Sequence, residues 1–158
     1  MLKALNAQIN KEFHSEHIYL AMAAFCQSKN FKGLAHWFTL QAGEEHSHAM
    51  KFFNYILERG AEVKLEKIEQ PPAAYKTILA AFEAAYKHEQ YITASINDIY
   101  ALAISEKDYA TQVFLQWFIN EQVEEEANAS EMVEHLKMAG DKPGTIMVID
   151  HHAGKRGK

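Results

Sequence analysis

Glu44-Glu45-His46-Ser47-His48 lies in the middle of an uninterrupted helical run from about Leu34 to Leu57, and the fold turns on how it is read. Glu45 and His48 are three apart, so on a helix their side chains leave one face a turn apart, the spacing at which a carboxylate and an imidazole can hold one metal ion. Leu34, Phe38 and Gln41 precede the pair on that face, and Phe52 and Ile56 follow it. The two polar groups therefore interrupt an apolar stripe. An unpaired charge in such a stripe is costly or neutralises itself, so its partners have to come from elsewhere in the chain.

Outward from this stretch, three prolines and seven glycines leave room for a few long elements. The spacing predicts a first helix from about Leu2 to Ser28, with Leu5, Ile9, Phe13, Leu20 and Met22 at helical intervals, and a turn from Asn30 to Gly33 that sends the next helix back antiparallel. That second helix ends at Gly60, suited to a left-handed cap. Ala61 to Pro72 has no stripe, and Pro71-Pro72 cannot lie inside a helix, so this stretch is expected to be a crossover along a bundle. A third helix is predicted from about Ala73 to Ile104, and a fourth from about Tyr109, with Asp108 as its N-cap, to Met138. The result is an all-α antiparallel four-helix bundle with one long crossover between helices 2 and 3. Residues 1–144 are expected to form the bundle and 145–158 a short fifth helix or strand-like tail, whose apolar start, Thr145 to Ile149, is expected to dock on another subunit. The basic end, Lys155-Arg156-Gly157-Lys158, is expected to be solvated.

Each helix carries acid on its apolar stripe. Glu12 lines up with Leu5, Ile9, Tyr19 and Ala23; Glu89 with Phe82, Tyr86, Ile92 and Ile96; Glu125 with Phe118, Gln122, Ala129 and Met132. A dry core holding four uncompensated carboxylates would not fold, so Glu12, Glu45, Glu89 and Glu125 call for cations, and four carboxylates balance two divalent ions. Oxygen-rich ligation with little histidine and no thiolate suits iron or manganese better than zinc or copper. His48 has to be neutral to ligate, so metal affinity is expected to weaken below about pH 6.

The totals exclude several other classes. The net charge of -5, with both signs well mixed, gives no reason to expect nucleic acid or a membrane as partner. No run approaches a transmembrane length, and the first residues lack the pattern of a signal peptide. A single cysteine, Cys26, excludes a disulfide framework within the chain and a cysteine-rich metal site, which fits a reducing cytoplasm.

Glu12, Glu45-x-x-His48, Glu89 within Tyr86-Lys87-His88-Glu89-Gln90, and Gln122-x-x-Glu125 within Phe114 to Glu126 together closely resemble the bacterial non-haem ferritins, a resemblance that runs from Leu5 to about Asp150. It implies a ferritin-like bundle with a diiron ferroxidase centre. Glu12, Glu45 and His48 would hold one iron with Glu45 bridging, and Glu89 and Glu125 the second with Gln122 beside it. It also implies a third iron site toward the inner surface, with Glu44, Glu121, Glu124 and Glu125 as its members. Tyr19 matches the family's tyrosine beside the centre, where it supplies an electron or simply hydrogen-bonds a carboxylate. The implied assembly is a homo-oligomeric hollow shell of twenty-four subunits that oxidises ferrous iron with dioxygen or hydrogen peroxide and stores it as ferric mineral.

Haem-binding relatives carry a second E-x-x-H motif, and a methionine after the glutamate of the first. Here the fourth helix offers Gln122-Val123-Glu124-Glu125, and His46 stands at the methionine position, so no haem is expected. In the family a short fifth helix lines the four-fold channels, whereas Gly154 and Gly157 interrupt this one early. The competing reading is a soluble diiron oxygenase or peroxidase on the same bundle, and the absence of insertions that would make room for an organic substrate favours storage.

Overall fold

The computed structural model describes residues 1–140 and 142–157 of the chain. Among these residues lie five helices: α1 Leu2–Ser28, α2 Lys32–Glu58, α3 Ile78–Ser105, α4 Tyr109–Ala139 and α5 Pro143–Ala153. None is long and apolar enough to cross a membrane. The turn between α1 and α2 closes through Asn30 at φ 63, and Gly60 after α2 sits at φ 69, a conformation that a residue without a Cβ adopts freely. Asp108 caps α4, its Oδ1 accepting from the Thr111 amide at 3.1 Å. It also pairs with Arg59 at 3.0 Å, which ties the end of α2 to the start of α4.

The crossover decides the topology. Near its start it is strung along α1: the Lys64 amide donates to Asn6 Oδ1 at 2.6 Å and the Glu66 amide to Asn10 Oδ1 at 2.8 Å. Near its end Tyr75 packs edge-on against Phe25, close to the other end of α1, with ring centroids 5.4 Å apart. The connection thus travels most of the bundle's length, and α3 starts at the end where α2 started. α3 begins later than the sequence predicts, at Ile78 rather than about Ala73. Thr77 is extended and its hydroxyl accepts from the Ala80 amide at 3.0 Å, so the hydroxyl cap, and not the end of the proline pair, sets the helix start.

α1 packs on α2 and α3 on α4, with α1 against α3 joining the pairs. Their buried faces form two apolar clusters. One, at the end that holds α5, is built on Met22, Leu34, Trp37, Phe38 and Phe82. The other, at the opposite end, is built on Leu5, Ile9, Phe52, Ile56, Ile92, Leu115 and Phe118. Between them lies a layer of buried polar residues that includes Gln8, Glu12, Gln41, Glu45, His48, Glu89, Gln122 and Glu125. One stripe residue behaves differently: Leu20 is 45% exposed, because a helix presents one face to the core and Leu20 falls off it.

The C-terminal segment is helical and lies against its own chain, on α2 and α4, with Met147 and Val148 left exposed on its outer side. Asp150 accepts from the Leu34 amide through Oδ1 at 2.9 Å, placing a carboxylate at an N-terminus where α2 has no side-chain cap of its own. Gly33 lets the two backbones meet, since a Cβ there would stand 1.7 Å from the Asp150 carbonyl oxygen. Gly33→Ala is therefore expected to undock α5 at a cost of about 1–3 kcal/mol, typical of overpacking. Hydrogen exchange is the measure: α5 amides should exchange about ten- to a hundredfold faster with the bundle amides unchanged. Unchanged α5 protection would show that the close approach does not hold the helix. The basic end also differs from expectation. Arg156 turns inward, its guanidinium 4.6 Å from the Trp37 ring centroid, because the planar cation gains both an aromatic face and acceptors there. The expectation for Lys158 lies outside the described residues.

Candidate metal centre

Four helices deliver the polar layer. Glu12 from α1, Glu45 and His48 from α2, Glu89 from α3, and Gln122 and Glu125 from α4 are all buried at mid-bundle. Two sets of three side chains have potential ligand atoms within 4.8 Å of one another: Glu12 with Glu45 and His48, and His48 with Glu121 and Glu125. The His48 ring borders both, with Nδ1 3.7 Å from Glu45 Oε2 and Nε2 3.9 Å from Glu121 Oε1. Phe118 and Trp117 pack edge-on against it, and their bulk fixes the ring plane.

The carboxylates are oriented by neutral side-chain donors. Gln8 Nε2 donates to Glu12 Oε1 at 2.7 Å. The Gln8 amide is itself fixed from behind: Ser95 donates to Gln8 Oε1 at 2.5 Å, and Lys11 donates to Ser95 Oγ at 2.6 Å. Tyr19 donates its hydroxyl to Glu89 Oε1, and Gln122 Nε2 donates to Glu89 Oε2 at 3.2 Å. Gln41 Nε2 donates to Glu125 Oε2. Glu12 Oε2 and Glu45 Oε2 are buried without a hydrogen-bond partner. A proton shared between the two carboxyls or a cation bound between them would relieve these oxygens, and together with His48 they form a donor set that could hold a divalent ion.

The electrostatics follow from that crowding. Burial pushes the Glu12 carboxyl up to about 7, against the pull of its Gln8 hydrogen bond. Burial, then the Glu89 and Glu12 charges, hold Glu45 well above the usual carboxylate range. Glu125 is pushed up to about 8 by burial and then by Glu89 and Glu44, and Glu89 is raised by burial. Burial, helped by Lys51, depresses His48 to about 4. Burial thus favours the protonated forms of these carboxyls beside a neutral imidazole, and the Glu45–His48 contact is not an ion pair at neutral pH.

The residues expected in a third site lie along one border of the layer: Glu121 and Glu125 have ligand atoms within 4.8 Å of each other, and the Glu124 and Glu44 charges both act on Glu121. Glu121 lies beside His48, Glu44 pairs with Arg156 at 2.6 Å, and Glu124 is exposed on α4. His46 is also on the surface, with Nδ1 3.2 Å from Glu16 Oε2 and its ring edge-on to Phe13. Sequence reasoning passed over the roles of Gln8 and Gln41. The signal was present, since each sits four residues before a stripe glutamate; but Gln8 serves its own helix while Gln41 reaches across to α4, a choice that spacing does not encode.

Comparison with known proteins points the same way as the geometry. Residues 2–139 match the family described as ferritin-like domain. The chain is 37% identical over 156 residues to the bacterial non-heme ferritin of Staphylococcus aureus, covering 99% of this chain and 94% of that one. The bacterial non-heme ferritin of Campylobacter jejuni is 37% identical over 152 residues, 96% of this chain and 91% of its own. Among solved structures, an open pore ferritin from the hyperthermophilic archaeon Archaeoglobus fulgidus is similar at a TM-score of 0.98 and 44% identity, covering 99% of this chain and 96% of that one.

Proposed function

The chain belongs to the ferritin-like domain family, and from that premise we propose that it is an iron-storage ferritin whose mid-bundle layer takes up ferrous iron and oxidises it. The observation that carries the proposal is the buried pair of unpartnered oxygens on Glu12 and Glu45 beside the neutral His48 ring. Glu12, Glu45 and His48 would hold one ferrous ion, with Glu45 reaching toward the second; Glu89 and Glu125 would hold that second ion, with Gln122 orienting Glu89. Ferrous ions supply the electrons. With dioxygen as acceptor, two ions lose one electron each, and two protons complete hydrogen peroxide. With peroxide as acceptor, the O–O bond breaks and two protons complete two waters.

The protein's own part is to hold, orient and release protons. Uptake of an ion displaces protons from the carboxylic acids, and the Tyr19 hydroxyl keeps one Glu89 oxygen occupied. Phe118 and Trp117 keep bulk water from the imidazole. Glu44, Glu121 and Glu124 would form an acidic track from this layer to the surface for a third ion, with Glu121 already beside His48. The assembly proposed is a homo-oligomeric shell of twenty-four subunits in the cytoplasm, the ferric mineral collecting inside.

The test combines rate and size. Ferrous iron added aerobically should give a fast rise in ferric absorbance over about the first two ions per chain, the number four carboxylates balance, and a continued slower rise with further iron. Light scattering should report a mass near twenty-four chains. A stable monomer or dimer that oxidises an organic compound would sink the storage reading in favour of a diiron enzyme on the same bundle.

A further inference from the structure

The turn after α5 reaches the polar layer without touching any residue proposed to hold the two ions of the centre. Arg156 Nη1 donates to Gln41 Oε1 at 2.8 Å, and Nη2 donates to Glu44 Oε2 at 2.6 Å. The turn is held over α2 by His36 Nε2 against the Arg156 carbonyl oxygen at 3.1 Å, and α5 itself by Asp150 and Gly33. A guanidinium has N–H donors and no acceptor, so the Gln41 atom facing it has to be the carbonyl oxygen. The amide nitrogen is thereby turned the other way, toward Glu125, where it donates to Oε2. Gln41 is 1% exposed, so each end of its amide depends on a protein partner and not on water.

We infer that Arg156 is a positioning residue for the metal centre: acting through Gln41, it commits one oxygen of Glu125 to a hydrogen bond and leaves the other for an ion, while its pairing with Glu44 anchors the guanidinium beside the Gln41 amide. The inference rests on the metal-site reading above. Its consequence is that the ligand set is finished only when the C-terminal helix has docked, because α5 delivers the residue that orients an α4 carboxylate through an α2 amide. The relay Lys11, Ser95, Gln8, Glu12 has the same logic, a donor-only cation fixing an amide that fixes a carboxylate, but arises within the bundle.

The experiment is anaerobic calorimetric titration of the assembled full-length protein with ferrous ion alone. The parent should bind two ions per chain. Arg156→Gln should weaken one of the two about tenfold or more, the range seen when groups behind a metal ligand are removed, because a glutamine amide can present either end to Gln41. Arg156→Lys, also donor-only, should stay within about threefold of the parent. Gln41→Met should show the same loss as Arg156→Gln, and combining the two should add nothing further, since both act on one link. Parental affinity in Gln41→Met, additive losses in the double variant, or equal losses for Arg156→Lys and Arg156→Gln would each overturn the inference. A parent that binds no pair of ions would instead overturn the proposed function, and this inference with it.

Discussion

Glu45→Ala is expected to slow aerobic ferrous oxidation by about a hundredfold or more, since even groups behind a metal ligand are worth about ten- to a hundredfold and Glu45 is proposed to contact both ions. Its position explains the size of the effect. Glu45 is fully buried, carries an unpartnered oxygen, and lies within 4.8 Å of both Glu12 and His48 ligand atoms. A variant oxidising iron at the parental rate would remove the layer as the oxidation site.

Glu45→Gln separates the charge from the shape and is expected to act in the opposite direction on stability. A carboxyl whose folded pKa is raised binds more protons folded than unfolded. Folding stability is therefore lost as pH rises from the unfolded value of 4.5 toward the folded one, and stays lost above it. For Glu12, raised to about 7, the same linkage amounts to on the order of 3 kcal/mol at pH 7. The apoprotein of Glu45→Gln should thus melt higher than the parent at pH 7.5 and no higher at pH 4.5. Scanning calorimetry at the two pH values decides it, and a lower melting temperature at both would mean that the carboxyl is structurally favourable.

The second large effect is the pH dependence of ion binding. The sequence alone points to His48 and to weakening below about pH 6. With His48 at about 4 and Glu125 and Glu12 at about 8 and 7, the steep region moves up. Each carboxylic acid that has to lose a proton makes ferrous affinity fall about tenfold per pH unit below its pKa, so affinity should fall about tenfold from pH 8 to 7 and faster from 7 to 6. Anaerobic titrations at these values give the slope directly. An affinity that held constant down to pH 6 would show that the acids are already ionised before the ion arrives.

The sequence revealed the bundle because its helices are long, its punctuation sparse, and its stripes consistent with one buried face each. It also revealed the acids at the heart of the layer, because Glu12, Glu45, Glu89 and Glu125 violate those stripes, and a violated pattern is visible in one chain. What stayed hidden depends on tertiary geometry. Thr77 as a cap was overshadowed by the prolines before it. Arg156 looked like part of a solvated tail, since four basic or small residues carry no periodicity; its inward turn depends on Trp37, Gln41 and Glu44 meeting it, and on Gly33 admitting α5. Glu44 and Glu121 look alike as an acidic helix face, yet one holds Arg156 and the other borders His48.

The two apolar clusters that flank the polar layer make each helix a beam clamped at both ends and loaded in the middle. The rings of Phe38 and Phe82 pack tilted with centroids 4.4 Å apart on one side, and those of Phe52 and Phe118 at 4.2 Å on the other, so the helices cannot splay at the layer without opening dense aromatic packing. A change in ionic radius on oxidation has to be absorbed by rotation of the glutamate side chains, which have torsions to spare, and not by the backbone. Loading and emptying the centre should then leave the amide exchange of α1 to α4 nearly constant, and the bundle can turn over many ions without loosening.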